Sequence, residues 1–141
     1  MTAVDADILC AEILRTLLPG VTVNVEYAVE ALTSPAFLEV RATDGGELKQ
    51  TETVSIVDIE LIGWSTVSRG AASGVCRQAA AGLRHAWIHQ VQVPDTPGVV
   101  CAYRGALPPV QIRLGNQPAT TWRYRSVVAV GVRTPNERLG V

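Results

Sequence analysis

Asp58 and Glu60 are the first residues to weigh for chemistry, because two carboxylates at i,i+2 on a strand share one side, about 6–7 Å apart by strand rise. Such a pair can divide general-acid and general-base work, provided a pocket moves their proton affinities apart. Their setting argues otherwise. In Val57-Asp58-Ile59-Glu60-Leu61 the acids alternate with apolar residues, so they face solvent or a neighbouring subunit, where arginines can pair with them. His85 and His89, at i,i+4, could hold a metal from one helix face, but no acidic third ligand lies near and Asp95 follows Pro94 in a loop. A polar, fraying helix end accounts for them better. Cys10, Cys76 and Cys101 are odd in number, far apart and without a CxxC pair, so neither a zinc site nor a disulfide framework is expected. Cys10 and Cys76 fall in helical patterns, where small buried thiols are common. There is no GxSxG and no Cys–His arrangement. Gly70 and Gly74 lie in a helix pattern and Gly45-Gly46 in a turn, so no phosphate loop forms. The expectation is a chain with no catalytic centre, no metal and no cofactor.

The elements that would position these residues can be read from periodicity. Residues 3–18 form an amphipathic helix, with Thr2 and Asp5 as a capping box, Ile8, Leu9, Ile13, Leu14, Leu17 and Leu18 on its apolar side, and Pro19-Gly20 as its stop. Residues 21–27 alternate as a first strand and 37–43 as a second, followed by a turn at Asp44-Gly45-Gly46. From about 51 to 89 a strand runs into a long helix. Ser65 or Thr66 caps that helix, and Val67, Ala71, Val75, Ala79, Leu83 and Ala86 form its apolar side. Arg69, Ser73, Arg77, Ala80 and Arg84 form a second face, either solvated, in contact with a subunit, or turned to DNA or an acidic partner.

Residues 94–110 carry four prolines and two glycines and read as a long ordered loop, or as two short pieces with turns. Residues 110–114 are a short strand turned by Gly115-Asn116, and 120–133 the last and longest strand. On that strand Trp122, Tyr124, Val128, Val130 and Val132 share one side, and Arg123, Arg125 and Arg133 the other. Trp64 and Trp87 are expected in the core, while Trp122 is the best aromatic candidate for an interface. The tail 134–141 is expected to be mobile. The order α-β-β-β-α-loop-β-β gives an α+β fold: one domain, residues 1–141, with a largely antiparallel sheet and two helices packed on it.

Composition narrows the function classes. The chain has 141 residues, 48% hydrophobic and 18% charged, enough for a core and too apolar for disorder. A net charge of −1 excludes a polycation that grips nucleic acid without specificity. Eleven of the twelve basic residues are arginine, with Lys49 the exception, which suits planar, forked contacts and also a GC-rich coding genome. The start MTAVDADILCAEI carries acids where a secretory leader needs basic residues, and no apolar run reaches the ~20 residues of a spanning helix. Synthesis in a reducing cytoplasm, away from membranes, is expected.

In the helix ending LLPGVTV, the strand VDIELIGW entering RGAASGVCRQAAAGLRHA, and the terminal strand TTWRYRSVVAVGVR, the chain resembles the tail terminators of long-tailed (siphovirus-type) bacteriophages. The likeness lies in element order and texture across most of the chain. It implies a homohexameric ring in the virion, at the junction of tail and neck. That ring binds the last ring of tail-tube protein, halts tube polymerisation and docks to the neck protein, with DNA only passing through the lumen. In that scheme Asp58, Glu60, Arg123 and Arg125 are contact residues, Tyr103 and Arg104 reach a neighbour from the 94–110 loop, and Arg69, Arg77, Arg84 and Trp122 add subunit contacts. A neck or head-completion protein has the same size and ring habit and is the near alternative. A small cytoplasmic enzyme or ligand-binding domain, built on a polar pocket around Asp58 and Glu60 with His85 and His89, is the alternative of another class.

Overall fold

Two strands of twelve residues, β4 (Val54–Ser65) and β7 (Trp122–Arg133), pair antiparallel along their whole length and make the spine of the molecule. The computed structural model describes residues 5–43, 49–50, 54–113 and 121–133. Around this spine stand β1 (Thr22–Asn24), β2 (Phe37–Ala42), β3 (Lys49–Gln50), β5 (Val99–Ala106) and β6 (Val110–Gln111). The main order across the sheet is β1-β2-β4-β7-β5, with β3 paired to β4 and β6 to β7. Only the short edge pair β1–β2 is parallel; the other pairings are antiparallel. Helices α1 (Ala6–Leu17) and α2 (Arg69–His89) pack on one face of this sheet, so the expected α+β class with two helices on a largely antiparallel sheet holds.

The period-two pattern decides which side chains meet the helices. Leu38 and Val40 of β2, Val57, Ile59 and Leu61 of β4, and Val128, Val130 and Val132 of β7 enter one buried cluster with Leu9, Ile13, Leu14, Val75, Ala79 and Leu83. Each Val, Leu or Ile among these contributes about 1.5–3 kcal/mol through its removal from water. At Gly63 the stripe lacks a side chain because α2 passes too close. A Cβ there would stand 2.6 Å from the carbonyl oxygen of Ala72.

Several boundaries differ from the sequence expectation, for physical reasons. Strand β4 continues to Ser65 because Trp122 is there to pair with it. The helix therefore starts later, and Ser68, not Ser65 or Thr66, caps it by accepting from the Ala71 amide at 3.0 Å. Val67 is left before the helix and exposed, while Ala72, Cys76 and Ala80 join the buried side. Ala80 thus leaves the arginine face on which it was expected. Segment 94–110 is not a loop: it contains β5, whose pairing with β7 shifts register between Val100 and Ala102 and again between Tyr103 and Gly105. The first strand shortens to Thr22–Asn24, after which a 3-10 turn, Val29–Leu32, crosses the second face of the sheet. The cap expected from Thr2, the turns at Asp44-Gly45-Gly46 and Gly115-Asn116, and the tail lie outside the described residues. Among the described residues no helix is long and apolar enough to cross a membrane.

Candidate functional site

The face of the sheet turned away from the helices is where the expected contact residues gather. Strand parity puts Phe37, Glu39 and Arg41 of β2, Asp58, Glu60, Ile62 and Trp64 of β4, and Arg123 and Arg125 of β7 on this side. Register then aligns Phe37–Trp64–Arg123, Glu39–Ile62–Arg125 and Arg41–Glu60–Val127 across three strands. At one end the 3-10 turn covers the face. Phe37, Ile62, Trp64 and Ala31 form a small apolar cluster there, and Thr121 ties the turn down by donating to the Leu32 carbonyl at 2.9 Å.

A charged cluster is built on that apolar floor. Glu39 is fully buried, and both its carboxylate oxygens are engaged. The indole N–H of Trp64 donates to Oε1 at 2.8 Å, and Nη2 of Arg41 donates to Oε2 at 2.9 Å. A buried carboxylate needs such donors, since desolvating an unpaired charge costs several kcal/mol, by an approximate measure. The bond locks the Trp64 ring, and the Arg123 guanidinium lies 5.0 Å from its centroid, while Tyr27 packs 5.7 Å away. Cation–π contacts of this kind contribute about 0.5–2 kcal/mol and favour the guanidinium over the ring. Nε of Arg123 is shielded from water without an acceptor among the described residues. Arg125, one step along the strand face, forms an ion pair with Glu60 of β4.

The other expected residues are dispersed. Asp58 shares the face with Glu60, yet Glu60 is committed to Arg125, so the two acids do not act as a free pair. Trp122 is half-buried on the opposite, helix side of β7 and does not join Arg123 and Arg125. Tyr103 does not reach outward from a loop: it is half-buried on β5, its ring stacked on Trp87 with centroids 6.2 Å apart. Arg104 is exposed at the second register shift of β5. Arg69, Arg77 and Arg84 lie exposed along α2. Arg77 and Arg84 line a groove of about 430 Å³ between α2 and the segment 106–109. His85 and His89 stand with ring centroids 4.3 Å apart on exposed helix, and among the described residues no group of three His, Cys, Asp or Glu could hold a metal. Cys10 and Cys76 are buried; burial pushes their thiols up to about 12 and about 11.

Sequence reasoning missed Glu39, Arg41 and Tyr27. A signal was present in Phe37-Leu38-Glu39-Val40-Arg41: an acid amid bulky apolar residues of a central strand must have a donor close by. What the alternation could not supply was the donor, twenty-five residues on. No protein-family model matches the chain, and no curated protein matches it.

Proposed function

We propose that this chain is a structural protein of the tail-terminator type, which forms a ring, binds the end of a tail tube and stops its growth, with no bond-making centre. The observation that supports this most is the setting of Arg123 on the sheet face turned away from the helices. The Arg123 guanidinium lies over a tryptophan that a buried glutamate holds in place, 5.0 Å from the ring centroid, and its Nε has no acceptor among the described residues. A rigid guanidinium of that kind suits a fixed carbonyl or carboxylate on a protein partner, since its fork is preorganised and little freedom is lost on binding. An acid–base centre at Asp58 and Glu60 finds less support, because Glu60 is tied to Arg125.

Electron microscopy and sedimentation of the full chain, alone and with tail-tube subunits of its virus, test the reading. Rings at tube ends, and tubes that cease to lengthen, are expected. A chain that stays monomeric and leaves tube growth unchanged overturns it. Binding to portal or neck complexes without any effect on tubes would move the assignment to a head-completion protein. Arg123→Glu with Arg125→Glu should abolish capping; normal capping by that variant would make this face ordinary surface.

A further inference from the structure

The groove beside α2 has the makings of a socket for a helix. Ala80, Tyr103 and Ala106 line it, as does Leu107-Pro108-Pro109, which the bond from the Ser126 hydroxyl to the Leu107 carbonyl, 2.6 Å, fastens to β7. Leu107 is 64% exposed and nearby Val110 65%. Arg77 and Arg84 border it from α2 and have no ion pair among the described residues. Seven residues separate them, about 10.5 Å along the helix axis.

The exposed stripe of α1 has the complementary pattern. Asp5, Ile8 and Glu12 recur every three or four residues, and Ile8 is 44% exposed between the two acids. Asp5 and Glu12 are also seven residues apart, so their spacing matches that of the arginines at about 10.5 Å. Glu12 shares its carboxylate with Arg15, an exposed pair that contributes little and can yield to another partner.

We infer that the groove receives the α1 stripe of a second copy of this chain, with Ile8 between the arginines and the acids paired to Arg77 and Arg84. This rests on the self-assembling role proposed above and names the contact that would carry it. Helix α1 packs over β1 and β2, whereas the groove opens beyond α2 over β5 and β7, at the other end of the sheet. Stripe and groove are different patches on opposite ends, so the contact is head-to-tail and repeats from subunit to subunit. An apolar ridge laid in an apolar groove supplies affinity, and the flanking charges set the register.

Two charge-reversed variants of the full chain test it by sedimentation velocity and chemical cross-linking. One carries Arg77→Glu and Arg84→Glu; the other carries Asp5→Lys and Glu12→Lys. Each alone should weaken self-association at least about tenfold, because like charges then face each other. A one-to-one mixture should assemble again, since the acidic groove meets a basic stripe and the basic groove an acidic one. Leu107→Asp, at an exposed position lining the groove and away from both helix ends, should weaken assembly without a charge partner to rescue it. Circular dichroism confirms that each variant is folded. If the wild-type chain assembles and the variants assemble equally well, the groove is not the contact while the ring reading stands. If the variants are monomeric and the mixture stays so, the stripe is not the groove's partner. If the wild-type chain never assembles, alone or on tubes, both inferences fall.

Discussion

The bond between Trp64 and Glu39 should show a coupling energy of about 1–3 kcal/mol in a double-mutant cycle, the range for a buried charge-assisted hydrogen bond with no water to replace it. Glu39→Leu leaves the indole N–H of Trp64 buried without an acceptor, a penalty of about 1–3 kcal/mol. Freed Arg41 costs little beyond that, since its side chain is nearly half exposed and water can take it up. Trp64→Phe strips one carboxylate oxygen of its donor, removes the platform under Arg123 and shrinks a fully buried ring, for about 3–4 kcal/mol together. When both changes are made, neither orphan remains, so the double variant should be less destabilised than the sum. Replacing both partners of a buried hydrogen bond with apolar groups of similar shape can be close to neutral. Urea unfolding measures this directly. With a slope of about 2 kcal/mol per molar urea, a coupling of 2 kcal/mol separates the observed midpoint from the additive one by about 1 M. Glu39→Gln is the control, since its amide oxygen still accepts from the indole; it should cost less than Glu39→Leu. Additivity within about 0.5 kcal/mol would mean the bond contributes nothing specific to holding Trp64 in place beneath Arg123.

Two further predictions use the helix side of the molecule. Gly63→Ala should destabilise by about 1–3 kcal/mol, because the new methyl would meet the Ala72 backbone at 2.6 Å, whereas Gly74→Ala, in open space within α2, should stabilise by about 0.5–1 kcal/mol; thermal melts that place the two on the same side of wild type would refute this packing. Stability should also fall at alkaline pH through Cys10 and Cys76. Their folded values, about 12 and about 11, lie above the ordinary 9.0, so the native chain keeps protons that the unfolded chain gives up. That contribution is complete below pH 9 and declines as pH rises towards 11 and 12, at about 1.4 kcal/mol per unit for each thiol. Unfolding curves at pH 8 and 10 for wild type and for Cys10→Ala with Cys76→Ala should show a shallower decline in the variant; equal declines would refute it.

What could be read from the chain beforehand was whatever depends on local repetition. The alternation in Val57–Leu61 and in Tyr124–Val132 located β4 and β7 and gave the correct parity of Arg123 and Arg125, since a period of two survives wherever a strand is regular. Segment 94–110 failed that test because two register shifts in β5 interrupt its alternation, and the bracketing prolines Pro94, Pro97, Pro108 and Pro109 resemble loop punctuation. The cap of α2 was misplaced by a few residues for a nonlocal reason: Ser65 is held in the sheet by Trp122, a residue fifty-seven positions away by subtraction of their numbers. The site behaved likewise. Glu60 and Arg125 were each legible as surface charges, yet their pairing, the placing of Arg123 over Trp64 and the groove that Arg77 and Leu107 both line all depend on chain crossings that no window of sequence contains.

The two proposed contacts also differ in what they would require of arginine. On the sheet face turned away from the helices the planar group itself matters: Arg123→Lys would keep the charge but give up the guanidinium over Trp64 and its fork of donors, because an ammonium is a compact, strongly hydrated point charge. At the groove, Arg77 and Arg84 are exposed and unstacked in the described contacts, so their charge and spacing matter more than their shape. Lysine at 77 and 84 should therefore leave self-association within about threefold of wild type, whereas Arg123→Lys should impair capping of tubes by tenfold or more, the magnitude of one lost charge-assisted contact at about 1.4 kcal/mol. The two variants can be measured side by side, self-association by sedimentation and capping by tube length under the microscope. Loss of both activities in both variants would mean that one continuous surface, not two, joins subunit to subunit and ring to tube.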